Sequence, residues 1–280
     1  MEIVTAKSKW EAWSLPLRDF LGRVAQDGFQ ATEIYLGGLP VSPEECRDLH
    51  AEYELQLIGQ IAVRHGSLDG QIRALEQEYL RALEFGPLKI NAHLGRDILT
   101  FADNLEILRL GSELAAAHGV PLCVETHRHH ALFHLPETRR YVEALPELQI
   151  TADLSHFVCV HESTLEDQPE NLAAILPRVR HIHARVGHSE GPQVSDPRAP
   201  EWQAWTELFC DWWGRMLELA RERGDKAFTI TPEFGPPPYM PCTPFENHPV
   251  ADAWEINIWM RSLLLERFAT LPHTRKEHDW

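Results

Sequence analysis

The chain has 280 residues, 44% of them hydrophobic and 24% charged, which is enough to bury a large core as one α/β barrel or as two smaller domains. With 26 Lys and Arg against 42 Asp and Glu, the formal charge of −16 argues against a nucleic-acid backbone or an anionic membrane surface as partner, since both recruit basic patches. Apolar runs such as 115–120 fall far short of the ~20 residues of a spanning helix, and the opening MEIVTAKSKWEAW carries no basic and apolar regions of a secretion signal.

Taken in chain order, periodicity predicts alternating strands and helices. The first half reads as strand 2–6, helix 17–28, strand 31–36, helix 43–53, strand 55–63, helix 68–85, strand 89–94 and helix 102–119. The second half continues with strand 121–125, helix 137–145, strand 149–153, helix 167–178, strand 181–185, helix 201–223, strand 228–232 and helix 249–269. Ser42 before Pro43 is a cap, Asp167 precedes a first-turn Pro169, and Gly119 and Gly224 stand where helix ends favour a left-handed residue. Eight strands, each followed by a helix, imply parallel pairing through right-handed crossovers and predict a single (β/α)8 TIM barrel spanning 1–280. An open doubly wound sheet is the alternative, but no Gly-rich phosphate loop follows the first strand. Residues 187–200 and 236–244 read as long loops, the former as a lid over the mouth with His188, Gln193 and Arg198, and 271–280 as a polar tail.

Barrel chemistry sits where strands end at the C-terminal face. The fifth strand ends in Val-Glu125-Thr-His127, the sixth in Ala-Asp153-Leu-Ser-His156, the seventh in His181-Ile-His183-Ala-Arg185 and the eighth in Thr-Pro-Glu233. Alternation puts His181 and His183 on one face, with His183 nearer the strand end as the ligand and His181 as a core residue. Carboxylates converging in a low-dielectric mouth must bind a cation or take up protons. Three carboxylates and an imidazole form a hard, oxygen-rich set suited to one divalent ion, Mn²⁺ first, with Mg²⁺, Co²⁺ or Zn²⁺ as alternatives. Leu-Ser-His-Phe after Asp153 gives no clear helix start, and His127, His129, His130 and His134 read as a solvated loop. The five scattered cysteines have no CxxC, which fits a reducing cytoplasm; Cys123 and Cys159 read as small buried hydrophobes on strands.

These residues resemble those of the xylose-isomerase-like TIM barrels, a superfamily of sugar isomerases, ketose 3-epimerases, inosose and dehydroshikimate dehydratases and endonuclease IV. The resemblance implies a divalent metal held by Glu125, Asp153, His183 and Glu233, with His156 completing an Asp-x-x-His motif. It implies catalytic roles for Glu125 and Glu233 as the acid/base pair and for His156 on a substrate oxygen. Two departures stand out: Arg185 where many members have Lys or Asp, and Arg-His-His-Ala-Leu where ketose 3-epimerases carry a further Glu.

The chemistry expected is proton transfer α to a carbonyl through a metal-stabilised enediolate, making the protein an isomerase or epimerase of a sugar or keto-sugar. A lyase or dehydratase using the same enediolate, with His156 or His93 protonating the leaving group, is the second reading; a non-catalytic sugar-binding barrel is the third. Arg185 is expected to face substrate and to favour an oxidised or anionic sugar, or else to pair with Glu125 or Glu233. His93, His65 and Trp13 are further substrate-binding candidates, with Trp10 and Asp97 on the same rim. Trp202/Trp205 and Trp212/Trp213 suggest helix packing or an oligomer contact, and the resemblance implies a homodimer or homotetramer.

Overall fold

The computed structural model describes residues 1–268, so the polar tail lies outside the described residues. Eight strands pair in parallel in sequence order and close, β8 against β1, as the barrel expectation required and the open sheet did not. They are β1 Glu2–Ser8, β2 Ala31–Tyr35, β3 Gln56–Ala62, β4 Lys89–His93, β5 Leu122–Glu125, β6 Gln149–Ala152, β7 Val179–Ala184 and β8 Ala227–Pro232. The helices are α1 Leu17–Gln26, α2 Pro43–Glu52, α3 Leu68–Leu83, α4 Phe101–His118, α5 Leu135–Ala144, α6 Leu154–His161, α7 Pro169–Ile175, α8 Gln203–Glu222 and α9 Ala253–Phe268.

Local chemistry explains several boundaries. Ser42, Ser67 and Thr100 accept hydrogen bonds from the first turns of α2, α3 and α4 through their side chains. Gly119 ends α4 in the left-handed conformation, with φ of 73°. The apolar stripes of the helices join the outward-facing strand residues in one continuous core that includes Phe20, Tyr79, Leu108, Trp213 and Met260. Trp212 and Trp213 are buried in that core on α8.

The barrel interior departs from the usual filling of branched aliphatic side chains. A small apolar plug of Val4, Ala6, Ala31 and Ile58 occupies part of it. Above the plug, alternation aims Glu33, Asn91, Thr151, His181 and Thr231 inward, all of them buried.

Three expectations change. Residues after Asp153 do form a helix, α6, because Asp153 caps it by accepting from Ser155 N at 3.1 Å; its Leu154, Ser155, His156, Phe157 and Val158 are all buried, so it lacks the exposed polar face that would announce it. Cys159 consequently lies on a helix, not a strand. Segment 187–200 is no lid: Val194 is buried and bonds Val186 O at 2.9 Å, and Gln193 brackets the Gly235 backbone at 2.8 and 3.2 Å. It is docked beside the β8 exit, leaving the mouth to other loops.

His50, buried on α2, shows how the outer layer depends on neutral imidazole. Its Nδ1–H donates to Cys46 O at 2.7 Å and its Nε2 accepts from Thr32 Oγ1 at 2.8 Å. Burial lowers its pKa despite the Cys46 carbonyl. The unfolded chain therefore takes up this proton first, so stability falls as pH drops through the unfolded value of about 6.5 and is level above it. Denaturant midpoints between pH 7.5 and 5 should decline less steeply for His50→Gln than for the parent. An identical slope would exclude His50 as a contributor.

Candidate metal centre and substrate cavity

The structure brings four sequence-predicted residues together at the C-terminal mouth. Glu125 from the end of β5, Asp153 after β6, His183 on β7 and Glu233 after β8 each offer a ligand atom, all lying within 4.8 Å of one another and all buried. His183 Nδ1 lies 3.0 Å from Glu233 Oε2 and 3.5 Å from Glu125 Oε1, yet is out of line for a hydrogen bond with either. A buried nitrogen aimed among carboxylate oxygens without a hydrogen bond fits donors arrayed around a common cation, so the residues present suit a divalent metal.

The other ring nitrogen of His183 is held by a residue one layer below the strand ends. Glu33 on β2 receives His183 Nε2–H, with its two oxygens at 2.9 and 3.0 Å. It also bonds His181 Nε2 at 3.1 Å, Thr231 Oγ1 at 2.7 Å and Asn91 Nδ2 at 2.9 Å. This carboxylate fixes the tautomer that leaves Nδ1 free for a metal. His181 lies one layer below, with Nδ1 against Thr229 Oγ1 at 2.7 Å. Asn91 also reaches up to Glu125 Oε2 at 2.8 Å, linking the two layers. Alternation in Ala31-Thr-Glu33-Ile-Tyr35 and Lys89-Ile-Asn91-Ala-His93 was the available signal for both residues.

Charges in this small volume settle one another. Burial disfavours the Glu33 carboxylate, but His183 and His181 outweigh it and hold its pKa below the ordinary range. Burial opposes Glu125 as well, and His93 and His183 hold it well below. The same balance works in reverse on His183: burial lowers it, but Glu233, Glu33 and Glu125 together raise it well above the usual histidine value. Asp153 is pushed up to about 6 by burial, with Glu233 and Glu125 adding to the push against the pull of Arg185.

Arg185 is ion-paired, with a different chief partner from those expected, and it also lines the cavity. Its guanidinium bonds Asp153 Oδ2, donates to His156 Nε2 at 2.8 Å and lies 3.5 Å from Glu233 Oε2. Only 2% of it is exposed, although it forms part of the cavity floor. His156 is fully buried beneath His127, ring centroids 3.9 Å apart; it braces Arg185 and is not among the residues lining the cavity. Burial, reinforced by His127 and Arg185, keeps it neutral.

Above this floor opens a cavity of about 500 Å³ lined by Glu33, Glu125, Arg185, Glu233 and the mouth residues. His93 lines it and donates from Nε2 to Glu125 Oε2 at 2.8 Å. Burial lowers its pKa, but Glu125 more than compensates and the net direction is upward. Of the histidines read as a solvated loop, His129 is exposed as expected, while His127 and His130 pack against His93, ring centroids 4.7 and 4.9 Å away. Burial and His93 drive both down to about 3, so both are neutral. Trp13, 44% exposed, stands at the rim against Tyr35, and Trp10 meets Tyr239 edge-on at 4.9 Å. A Cβ at Gly235 would fall 2.1 Å from the Trp10 ring, so only glycine lets that indole lie across the β8 exit. His65 does not line the cavity: it is exposed with its ring against Gly70, and its neighbour Arg64 faces the mouth. Asp97 pairs with exposed His129 at 3.7 Å.

Fold and site together define a (β/α)8 barrel with an acidic, histidine-bearing centre at its C-terminal mouth. Its fold is that of the xylose isomerase-like TIM barrels. A protein so described from Mycobacterium smegmatis, in complex with magnesium, superposes with a TM-score of 0.64 at 15% identity, covering 94% of this chain and 95% of that one. D-psicose 3-epimerase with D-tagatose from Clostridium cellulolyticum H10 gives 0.60 at 15% identity, covering 95% and 98%. The probable 3-DHS dehydratase AsbF from Bacillus anthracis gives 0.61 at 15% identity, covering 95% and 100%. No protein-family model and no curated protein matches the chain. Among the described residues no helix is long and apolar enough to cross a membrane.

If Glu33 orients His183, Glu33→Gln should weaken Mn²⁺ binding about 10- to 100-fold, measured by chelator competition, with the far-UV circular dichroism spectrum preserved. Parent-like affinity in a folded variant would remove Glu33 from the metal site.

Proposed function

We propose that the protein is a divalent-metal-dependent isomerase or epimerase that moves a proton α to the carbonyl of a sugar or keto-sugar. One observation carries this reading: Glu125 and Glu233 line the same cavity, while Asp153 and His183 lie buried with them in a single four-residue centre. A bound dication, with Mn²⁺ best suited to the oxygen-rich set, would polarise the substrate carbonyl and neighbouring hydroxyl and so acidify the C–H between them.

The remaining work belongs to the chain. Glu125 and Glu233 come from different strands, so that one can take the proton and the other return it to the opposite face of the carbon. Such acid/base groups contribute about 10²- to 10⁴-fold. Asn91 and His93 hold Glu125 by two hydrogen bonds of 2.8 Å, and Arg185 beside Glu233 supplies a fixed positive charge at the cavity floor. Trp10, Trp13, Tyr35 and Tyr239 wall the mouth with ring faces that suit the apolar side of a sugar. A D-psicose 3-epimerase among the structures of like fold supports this reaction class.

A lyase is the second reading, favoured by His93. An imidazole with raised pKa inside the cavity can give its proton to a β-hydroxyl, which then leaves as water while the α-proton goes to a carboxylate. The probable dehydratase of like fold supports that alternative.

Mn²⁺-loaded protein incubated with a ketose panel in D₂O should place one solvent deuterium at the α carbon of a turned-over sugar, read by NMR. Glu233→Gln should slow this exchange by about 10²- to 10⁴-fold. Loss of water with a new conjugated chromophore would establish the lyase instead. Unaltered turnover and metal content in Glu233→Gln would overturn the role given to that residue.

A further inference from the structure

We propose that the substrate carries an anionic group, and that Arg64 and Arg96 at the cavity mouth receive it. This inference deepens the reading above by naming the chemical class of sugar. Arg64 follows β3 and Arg96 follows β4, and these neighbouring strands remain hydrogen-bonded up to their ends, Val63 N to His93 O at 3.1 Å. Both arginines line the cavity that holds Glu125 and Glu233.

Neither guanidinium has a carboxylate within 4.0 Å among the described residues. That is a notable arrangement in a chain with 42 acidic residues against 26 basic ones. The contrast with Arg185 is direct, since Arg185 is consumed by Asp153 and Glu233. Arg96 is also held in place before any ligand arrives. Its backbone N–H donates to Asn104 Oδ1 at 3.0 Å and its carbonyl accepts from Asn104 Nδ2 at 2.8 Å. Gly95 before it has φ of +65°, and a Cβ there would fall 2.4 Å from Asn104 Oδ1, so the turn that presents Arg96 is specific to glycine. Its Nε is buried with no hydrogen-bond partner, which leaves a donor to be satisfied.

The electrostatic gradient fixes the orientation. At the floor, Glu33, Glu125, Asp153 and Glu233 are engaged with His183, His93 and Arg185, whereas the guanidinium pair above has no carboxylate within 4.0 Å among the described residues and draws an anion to the mouth. The carbonyl end therefore enters first and the anionic end stays at the mouth. A guanidinium fork binds carboxylate and phosphate alike through paired N–H donors, so the shared ligand chemistry is a planar or tetrahedral oxyanion. A cavity of about 500 Å³ accommodates a sugar of ordinary size bearing such a group.

Equilibrium binding of unreactive open-chain analogues tests the subsite separately from turnover. Isothermal titration calorimetry of the Mn²⁺-loaded protein would compare D-glucitol, D-gluconate and D-glucitol 6-phosphate. At least one of the two anions should bind at least tenfold more tightly than glucitol, and that preference should shrink as salt rises. Preference for gluconate alone identifies a sugar acid, and preference for the phosphate alone identifies a sugar phosphate. Arg96→Gln, and separately Arg64→Gln, should erase most of the difference between anion and polyol, and Arg96→Lys should restore part of it. Failure of both anions to bind more tightly than glucitol overturns the proposal, as does a preference that survives both glutamine variants. Because no chemistry is read, a sugar-anion preference without deuterium exchange would reject the isomerase reading while sustaining the subsite.

Discussion

The structure turns on the placement of like charges where water is scarce. Glu33, Glu125, Asp153 and Glu233 are all buried inside a closed barrel, and two unit charges of one sign about 4 Å apart repel by about 4 kcal/mol at an effective dielectric constant of 20. Several such pairs cannot coexist without compensation. The chain supplies it from within: a protonated His183 between Glu33 and Glu233, Arg185 against Asp153, and His93 on Glu125. Because the carboxylates that favour a proton on His183 also surround its Nδ1, a proton and a divalent cation would compete for one position. The formal −16 of the chain thus overstates the charge that this mouth presents once either is bound.

That centre must be held still, and the layers beneath and beside it do so by polar contact. Below, Glu33 gathers His181, His183, Asn91 and Thr231, so four strands share one carboxylate. Beside the mouth, buried Asn257 on α9 donates to Glu11 at 2.8 Å, accepts from Phe234 N at 2.8 Å and donates to Phe234 O at 3.0 Å. Glu11 in turn pairs with Lys7, which burial strips of water and drives down in pKa despite that partner. The loops leaving β1 and β8 are therefore tied to one helix, and Trp10 settles on Gly235 as a consequence. A polar barrel interior of this kind gives up aliphatic packing in exchange for geometric definition of the side chains above it.

What the sequence disclosed follows from which forces are local. Each strand is short, begins after turn residues and carries apolar groups toward the helices, so all eight could be read from pattern alone. The four centre residues were visible because a barrel of parallel strands aims every C-terminal end at the same mouth. Glu33 and Asn91 escaped because they sit one layer deeper, where only side-chain alternation marks them. His127 and His130 looked like solvated loop residues, since their burial depends on His93 from another strand and on the Gly95 turn. Gln193 and Val194 looked like part of a lid because the partner that docks them, the Gly235 backbone, lies some forty residues away. The capping of α6 by Asp153 was hidden because the first turn of the helix is buried on every side, polar Ser155 and His156 included, and the same aspartate turned out to serve both helix and centre.

Position explains why apparently equivalent arginines differ. Arg185 is the first residue beyond β7, two residues after His183, where it is still buried in the charged interior and pairs with Asp153. Arg64 and Arg96 lie beyond their strand ends, past the reach of the carboxylates, where a guanidinium keeps its charge and its donors available. A ligand approaching the mouth meets this outer positive pair before the compensated floor, so long-range attraction acts on the anionic end first. A neutral polyol feels no such pull, whereas a sugar with an oxyanion at one end would be oriented before it makes a single contact with Glu125 or Glu233.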